Sequence, residues 1–240
     1  MKTKTRIWWL TLLLWCCPLS PRSQTAAALS PSVKGPEVAA CFESMPDIFL
    51  PSTKNMRLDM LDFYRSGLKS TVKGPFDNLM EIEELSDSYM RVSVSGAGSW
   101  QFKRLPTAED TVFLIAVVQT VNRPAGGSVL SFYSTRWQKM DLPGAQPVFQ
   151  AAEAWQQTVL DSLAGQSYAT GLLPSAEINP AQIMAIPYFV FSLRSGDNSL
   201  EVRSSAPDYL DAETYKKVAA AAATPLWFEW NPEKQVFERR

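Results

Sequence analysis

An α+β fold is predicted, with N-terminal helices, then an antiparallel strand meander, then a second half that mixes helices with hairpins. Three observations predict it. Apolar residues recur at helical spacing from Val38 to Leu68. The period then changes to two, and the connections up to Met140 are too short for helical crossovers, so the strands pair antiparallel. After the Pro/Gly segment 141–147, helical and alternating patterns return in turn. The chain divides accordingly into a signal peptide (1–28), a helix-plus-sheet half (29–143) and a helix, hairpin, helix, hairpin half (144–240).

The first element is a targeting segment. Lys2, Lys4 and Arg6 form a basic start, and the run from Ile7 to Cys17 is almost wholly apolar. About 11 apolar positions fall short of the roughly 20 that a spanning helix needs. They suit the apolar region of a secretory signal peptide. Ala26, Ala27 and Ala28 offer small residues for cleavage, and a cut after Ser23 is the alternative. Lipid attachment at Cys16 or Cys17 fits poorly, because neither follows a small residue. No later stretch is apolar enough to span a membrane, so none is expected in the mature chain.

Two helices follow. Pro36 and Glu37 mark a start, and Val38, Cys41, Phe42, Met45, Ile48 and Phe49 recur on one face until Pro46 interrupts. Cys41 lies on that face and reads as a small buried hydrophobe. Ser52 or Thr53 caps the next helix, whose predicted inward stripe is Met56, Met60, Phe63 and Tyr64, with Gly67 closing it. Asp59 and Asp62 share a face three residues apart. They form either a carboxylate pair for acid–base or cation work or a solvated face paired with Arg57 and Arg65, and the surface spacing favours the second.

The meander contains an early strand bearing Glu81, Glu83 and Glu84. Glu81 and Glu83 project to one side, as an acid pair or as a polar sheet face. Tyr89–Val94 alternates, the 95–99 segment turns, and Trp100 and Phe102 alternate with Gln101 and Lys103. The segment 95–99 lacks the lysine and strand-to-helix setting of a phosphate loop. Val112–Val118 is continuously apolar, as a strand covered on both faces should be.

In the second half, Phe149, Ala152, Trp155, Val159 and Leu163 give a helix. Residues 165–187 are irregular, with three prolines, Pro174, Pro180 and Pro187. Tyr188–Leu193 and Leu200–Ser204 form a hairpin, a helix runs from the cap Asp211 through Ala223, and Leu226–Trp230 pairs with Gln235–Glu238. Trp227, Glu229 and Trp230 are the candidate binding residues. Trp227 points opposite to Phe228, so a ring on this strand faces outward, where it can stack on a sugar or a partner's apolar anchor. Packing against the preceding helix is the competing account.

Composition narrows the chemistry. The chain contains no histidine, which removes Ser-His-Asp and Cys-His catalysis and the histidine-bearing zinc sites. No cofactor or metal site is called for. Loss of residues 1–28 takes the 23 basic residues to 19 against 24 acidic ones, a net charge of −5. That balance disfavours nucleic acid as a partner. It also leaves Cys41 alone, without an internal disulfide.

Several segments resemble a known family. They are Met45-Pro46-Asp47, Leu50-Pro51, Thr53 to Phe63, Leu85 to Tyr89, Lys103 to Pro106, Phe132 to Trp137 and Pro225 to Trp230. In order and spacing they are similar to a family of exported Bacteroidales-type proteins known as domain of unknown function 3256, over about residues 36–239. The resemblance implies an exported envelope protein, periplasmic or secreted, and carries no active site with it. The expected function is therefore a non-catalytic binding or interaction module whose partner is an envelope protein or a glycan. The alternative is a histidine-free carboxylate hydrolase such as a glycosidase, with Asp59, Asp62, Glu81 and Glu83 as first candidates.

Overall fold

A computed structural model describes residues 36–240, apart from 76, 123–125, 156, 158–188, 206–207, 209–211, 214–215 and 217–223. The predicted signal peptide, the 165–187 segment and most of the predicted helix at 211–223 lie outside the described residues. Two helices come first, α1 (Val38–Glu43) and α2 (Lys54–Arg65). Seven strands follow: β1 (Val72–Lys73), β2 (Leu79–Leu85), β3 (Tyr89–Val94), β4 (Gly98–Pro106), β5 (Phe113–Val121), β6 (Gly127–Ser134) and β7 (Lys139–Met140). Residues 146–155 form a helix, α3. The chain then gives β8 (Phe189–Leu193), β9 (Ser199–Ser204), β10 (Leu226–Asn231) and β11 (Val236–Arg239).

The fold class is α+β with two antiparallel sheets, and it holds more strands than the sequence alone resolves. The first sheet is a meander in chain order, β1 to β7. The second runs β11-β10-β9-β8. Local chemistry sets the turns. Thr53 has extended backbone and its hydroxyl accepts from the Met56 amide (3.4 Å), which starts α2. Gly67 takes a positive φ of 69° just past the end of that helix. Ser95 and Gly96 both have positive φ, the backbone a tight β3–β4 hairpin requires.

Helix α2 turns Met56, Met60 and Tyr64 of its predicted stripe to the core, with Leu61 beside them, and departs from it at Phe63, which is 39% exposed, and at Arg57, which is buried. Polar partners account for the buried guanidinium of Arg57. It is 1% exposed and gathers the α1–α2 connection, donating to Asp47 (2.9 Å), to the carbonyls of Ser52 (2.9 Å) and Glu43 (3.4 Å), and to that of Met45. Backbone oxygens left without partners by the Pro46 break are thereby satisfied.

Both faces of the large sheet are covered around β4 and β5. On one face, Phe42, Met60, Met90, Phe102, Ile115 and Trp137 belong to a core shared with α1 and α2. On the other, Leu114, Val118 and Phe132 pack with Phe191, Phe228 and Trp230 of the small sheet. The unbroken apolar run of β5 follows, since Ile115 and Val117 serve one core while Leu114, Ala116 and Val118 serve the other. Each buried Val, Leu or Ile among them contributes about 1.5–3 kcal/mol by leaving water.

Both edges of the small sheet carry backbone bonds to the rest of the chain. Strand β8 has β9 on one side only, yet its other side is bonded to side chains of the large sheet. Gln101 donates to the Phe191 carbonyl (3.1 Å) and accepts from the Leu193 amide (2.9 Å), and Ser128 accepts from the Phe191 amide (3.1 Å). At the opposite edge, Gly144 makes a parallel bridge to Val236 and accepts from the Phe237 amide (3.2 Å). The outer strands of the large sheet, β1 and β7, are two residues each.

Candidate functional site

The candidate surface is the outward face of the small sheet. Strand β10 alternates as the sequence predicts: Leu226, Phe228 and Trp230 are buried, while Trp227 is partly exposed and Glu229 is exposed. Trp230 is 4% exposed, its ring packs near Phe132 and Phe237 (centroids 5.5 and 5.1 Å), and its Nε1 donates to the Pro106 carbonyl (2.7 Å). Trp230 is therefore a core residue that ties the two sheets together. Trp227 lies opposite Glu201 of β9, and Glu229 lies opposite Ser199.

Trp227 sits in a recess of about 530 Å³ whose lining includes Arg194, Asp197, Thr224, Arg239 and Arg240. The Arg194 guanidinium carbon is 5.6 Å from the Trp227 ring centroid, in cation–π contact. Asp197 closes the β8–β9 turn, accepting from the Ser199 amide (2.9 Å) and hydroxyl. The Ser199 hydroxyl, more than any other group, holds the Asp197 carboxyl below the usual range, and Arg240 and Arg194 add to the effect. Glu229 accepts from Arg240 (3.1 Å). Glu201 is 3.5 Å from Arg203.

Beneath the same turn lies Lys103, 2% exposed, whose Nζ donates to the Ser88 hydroxyl (3.2 Å) and the Ser195 carbonyl (3.1 Å). Burial pushes its pKa down, partly offset by Asp197. Tyr89 donates to Gln101 (3.3 Å), and burial raises its phenol to about 12, so it stays neutral. These groups are consumed in joining the sheets.

The four carboxylates are not brought together. Asp59 and Asp62 are exposed on α2, and Arg57, expected beside them, is turned inward instead. Met80 and Ile82 point to the helix-side core, so alternation places Glu81 on the other face of the sheet, away from α2. Glu81 accepts from Thr71 (3.0 Å) and is 3.7 Å from Lys69. Glu83 pairs with Arg91 (2.7 Å) at an irregularity in the β2–β3 register between Ile82 and Glu84. Among the described residues, no group of three or more His, Cys, Asp or Glu is placed to hold a metal ion. No described helix is long and apolar enough to cross a membrane.

A second recess, of about 300 Å³, lies on the helix side of the large sheet, lined by Ile48, Phe49, Trp100, Val129 and Tyr133 among others. Ile48 at its rim is 89% exposed.

Sequence reasoning missed Arg194 and Arg239. They lie 33 and 12 residues from Trp227, and only the pairing of β8 to β11 brings them beside it.

Comparison with known proteins places this architecture. A solved domain of an uncharacterized protein from Porphyromonas gingivalis W83 superposes with a TM-score of 0.58 at 20% identity, covering 86% of this chain and 98% of that one. At that identity the likeness shows the fold alone. No curated protein matches the chain. Residues 30–235 match the family described as "Protein of unknown function (DUF3256)". Family match and common fold agree, and the chain belongs to that family.

Proposed function

We propose that this protein is an exported cell-envelope protein acting as a non-catalytic binding module, which engages a glycan or an envelope protein through the outward face of the small sheet. One observation carries this reading: Trp227 presents a partly exposed indole beneath Arg194 in a recess, on a strand whose other aromatic rings are buried. An indole is amphipathic and rigid, and it contributes contact area at low entropic cost. Export rests on the basic and apolar character of residues 1–28.

The test is a pair of tryptophan variants carried through capture of envelope glycans and proteins from the source cell. Trp227→Ala should keep the native near-UV spectrum and lose retained partners. Trp230→Ala should lose about 3–5 kcal/mol of stability, and binding with it, because its ring is core. Unchanged capture by Trp227→Ala would sink the proposal.

A further inference from the structure

The ligand class can be read from the charges around Trp227. Every carboxylate near the ring has its own partner: Asp197 is bonded to Ser199, Glu229 to Arg240, and Glu201 lies beside Arg203. Arg194 and Arg239 line the same recess, and among the described residues neither has a carboxylate within ion-pair distance. Both are exposed. Among the described residues the recess thus holds one guanidinium stacked on the Trp227 ring and a second, Arg239, in its lining, neither of them paired with a carboxylate. A guanidinium fork matches a carboxylate bidentately, which a lysine cannot do. The indole face matches the C–H face of a pyranose, and the hydroxyl of Thr224 in the lining suits a sugar hydroxyl.

Building on the binding-module reading above, we infer that the recess takes a carboxylate-bearing sugar unit of an acidic glycan, its carboxylate on Arg194 or Arg239 and its ring on Trp227. Recognition of this kind is electrostatic at the rim, so it weakens as salt rises.

The experiment titrates the chain with two carboxylated probes, an oligogalacturonate and a sialylated oligosaccharide, with the fully methyl-esterified oligogalacturonate as a neutral control and poly-glutamate as an acidic peptide. At least one carboxylated probe should bind, and esterification should weaken oligogalacturonate binding tenfold or more where that probe binds. Arg194→Gln or Arg239→Gln should weaken the bound probe by a similar factor with an unchanged melting curve. Arg194→Lys should restore little of the loss. The inference falls if neither carboxylated glycan binds, if the ester binds as well as the acid, if both arginine variants bind like wild type, or if poly-glutamate binds equally tightly. Equal binding of acid and ester that disappears in Trp227→Ala would overturn the acidic class alone and leave the binding-module reading standing. Undiminished binding and envelope capture by Trp227→Ala would overturn that reading itself.

Discussion

Arg57 and Lys103 are both buried cations, and they do different things. Among the described residues Arg57 joins the carbonyls of Glu43, Met45 and Ser52, so Arg57→Met strands two buried acceptors and a part-buried one at once. Each costs about 1–3 kcal/mol, and a loss of roughly 3 kcal/mol or more is expected in urea denaturation. A change under 1 kcal/mol would mean that water replaces the guanidinium without penalty. Lys103 instead carries a charge that burial disfavours, with two neutral acceptors as compensation. Its folded pKa lies below the unfolded value of about 10.4, so the unfolded chain binds more protons between the two. Stability from this group therefore rises with pH across that window and is flat below it. Lys103→Met should match or exceed wild type at pH 7 and lose that advantage as pH approaches about 10. Parallel stability curves for the two proteins would contradict this account. Cys41 is the quiet counterpart: burial raises its thiol pKa, and Arg104 only partly offsets this. Arg57 shows how far a single position can be read. Its charge and its place near Asp59 and Asp62 argued for a solvated face. Only the carbonyls around Pro46, which its guanidinium bonds, reveal why it is buried.

At the scale of elements, the alternation of β10 and the double-faced run of β5 were legible because period and burial agree along both strands. The register irregularity at Glu83 and the bridge at Gly144 were not, since both depend on partners distant in sequence. Segment 141–147 has linker composition, yet Gly144 is buried against β11. A Cβ there would meet the Gln235 carbonyl oxygen at 2.6 Å and the Phe132 ring at 3.3 Å. Gly144→Ala should therefore cost about 1–3 kcal/mol by overpacking. Gly196 supplies the control, because a Cβ there meets nothing within 4 Å and its φ is not positive. Gly196→Ala should be neutral or slightly stabilising, and equal effects at the two sites would refute the packing argument. The candidate recess was half legible for the same reason. Trp227 announces itself as the odd aromatic of its strand, whereas its arginines arrive through strand pairing.

For the whole molecule, the shared core of the two sheets sets the cooperativity. Residues from β3 to β6 and from β8 to β11 occupy one apolar cluster, and buried Gln101 and Lys103 bond across the interface. Separating the sheets would expose both core faces and leave these polar groups unpartnered. Tryptophan fluorescence and far-UV circular dichroism should thus report one coincident urea transition for residues 36–240. Two resolved transitions would show that the sheets unfold separately. The bonded edges of the small sheet have a further consequence. Strand addition to a host sheet needs a row of free amides and carbonyls. Here, among the described residues, side chains bond β8 at Phe191 and Leu193 and β11 is bridged at Gly144, whereas β7 covers β6 only at Phe132 and Tyr133. The two edges of the small sheet thus offer few free backbone groups to an added strand, and its outward face presents side chains instead.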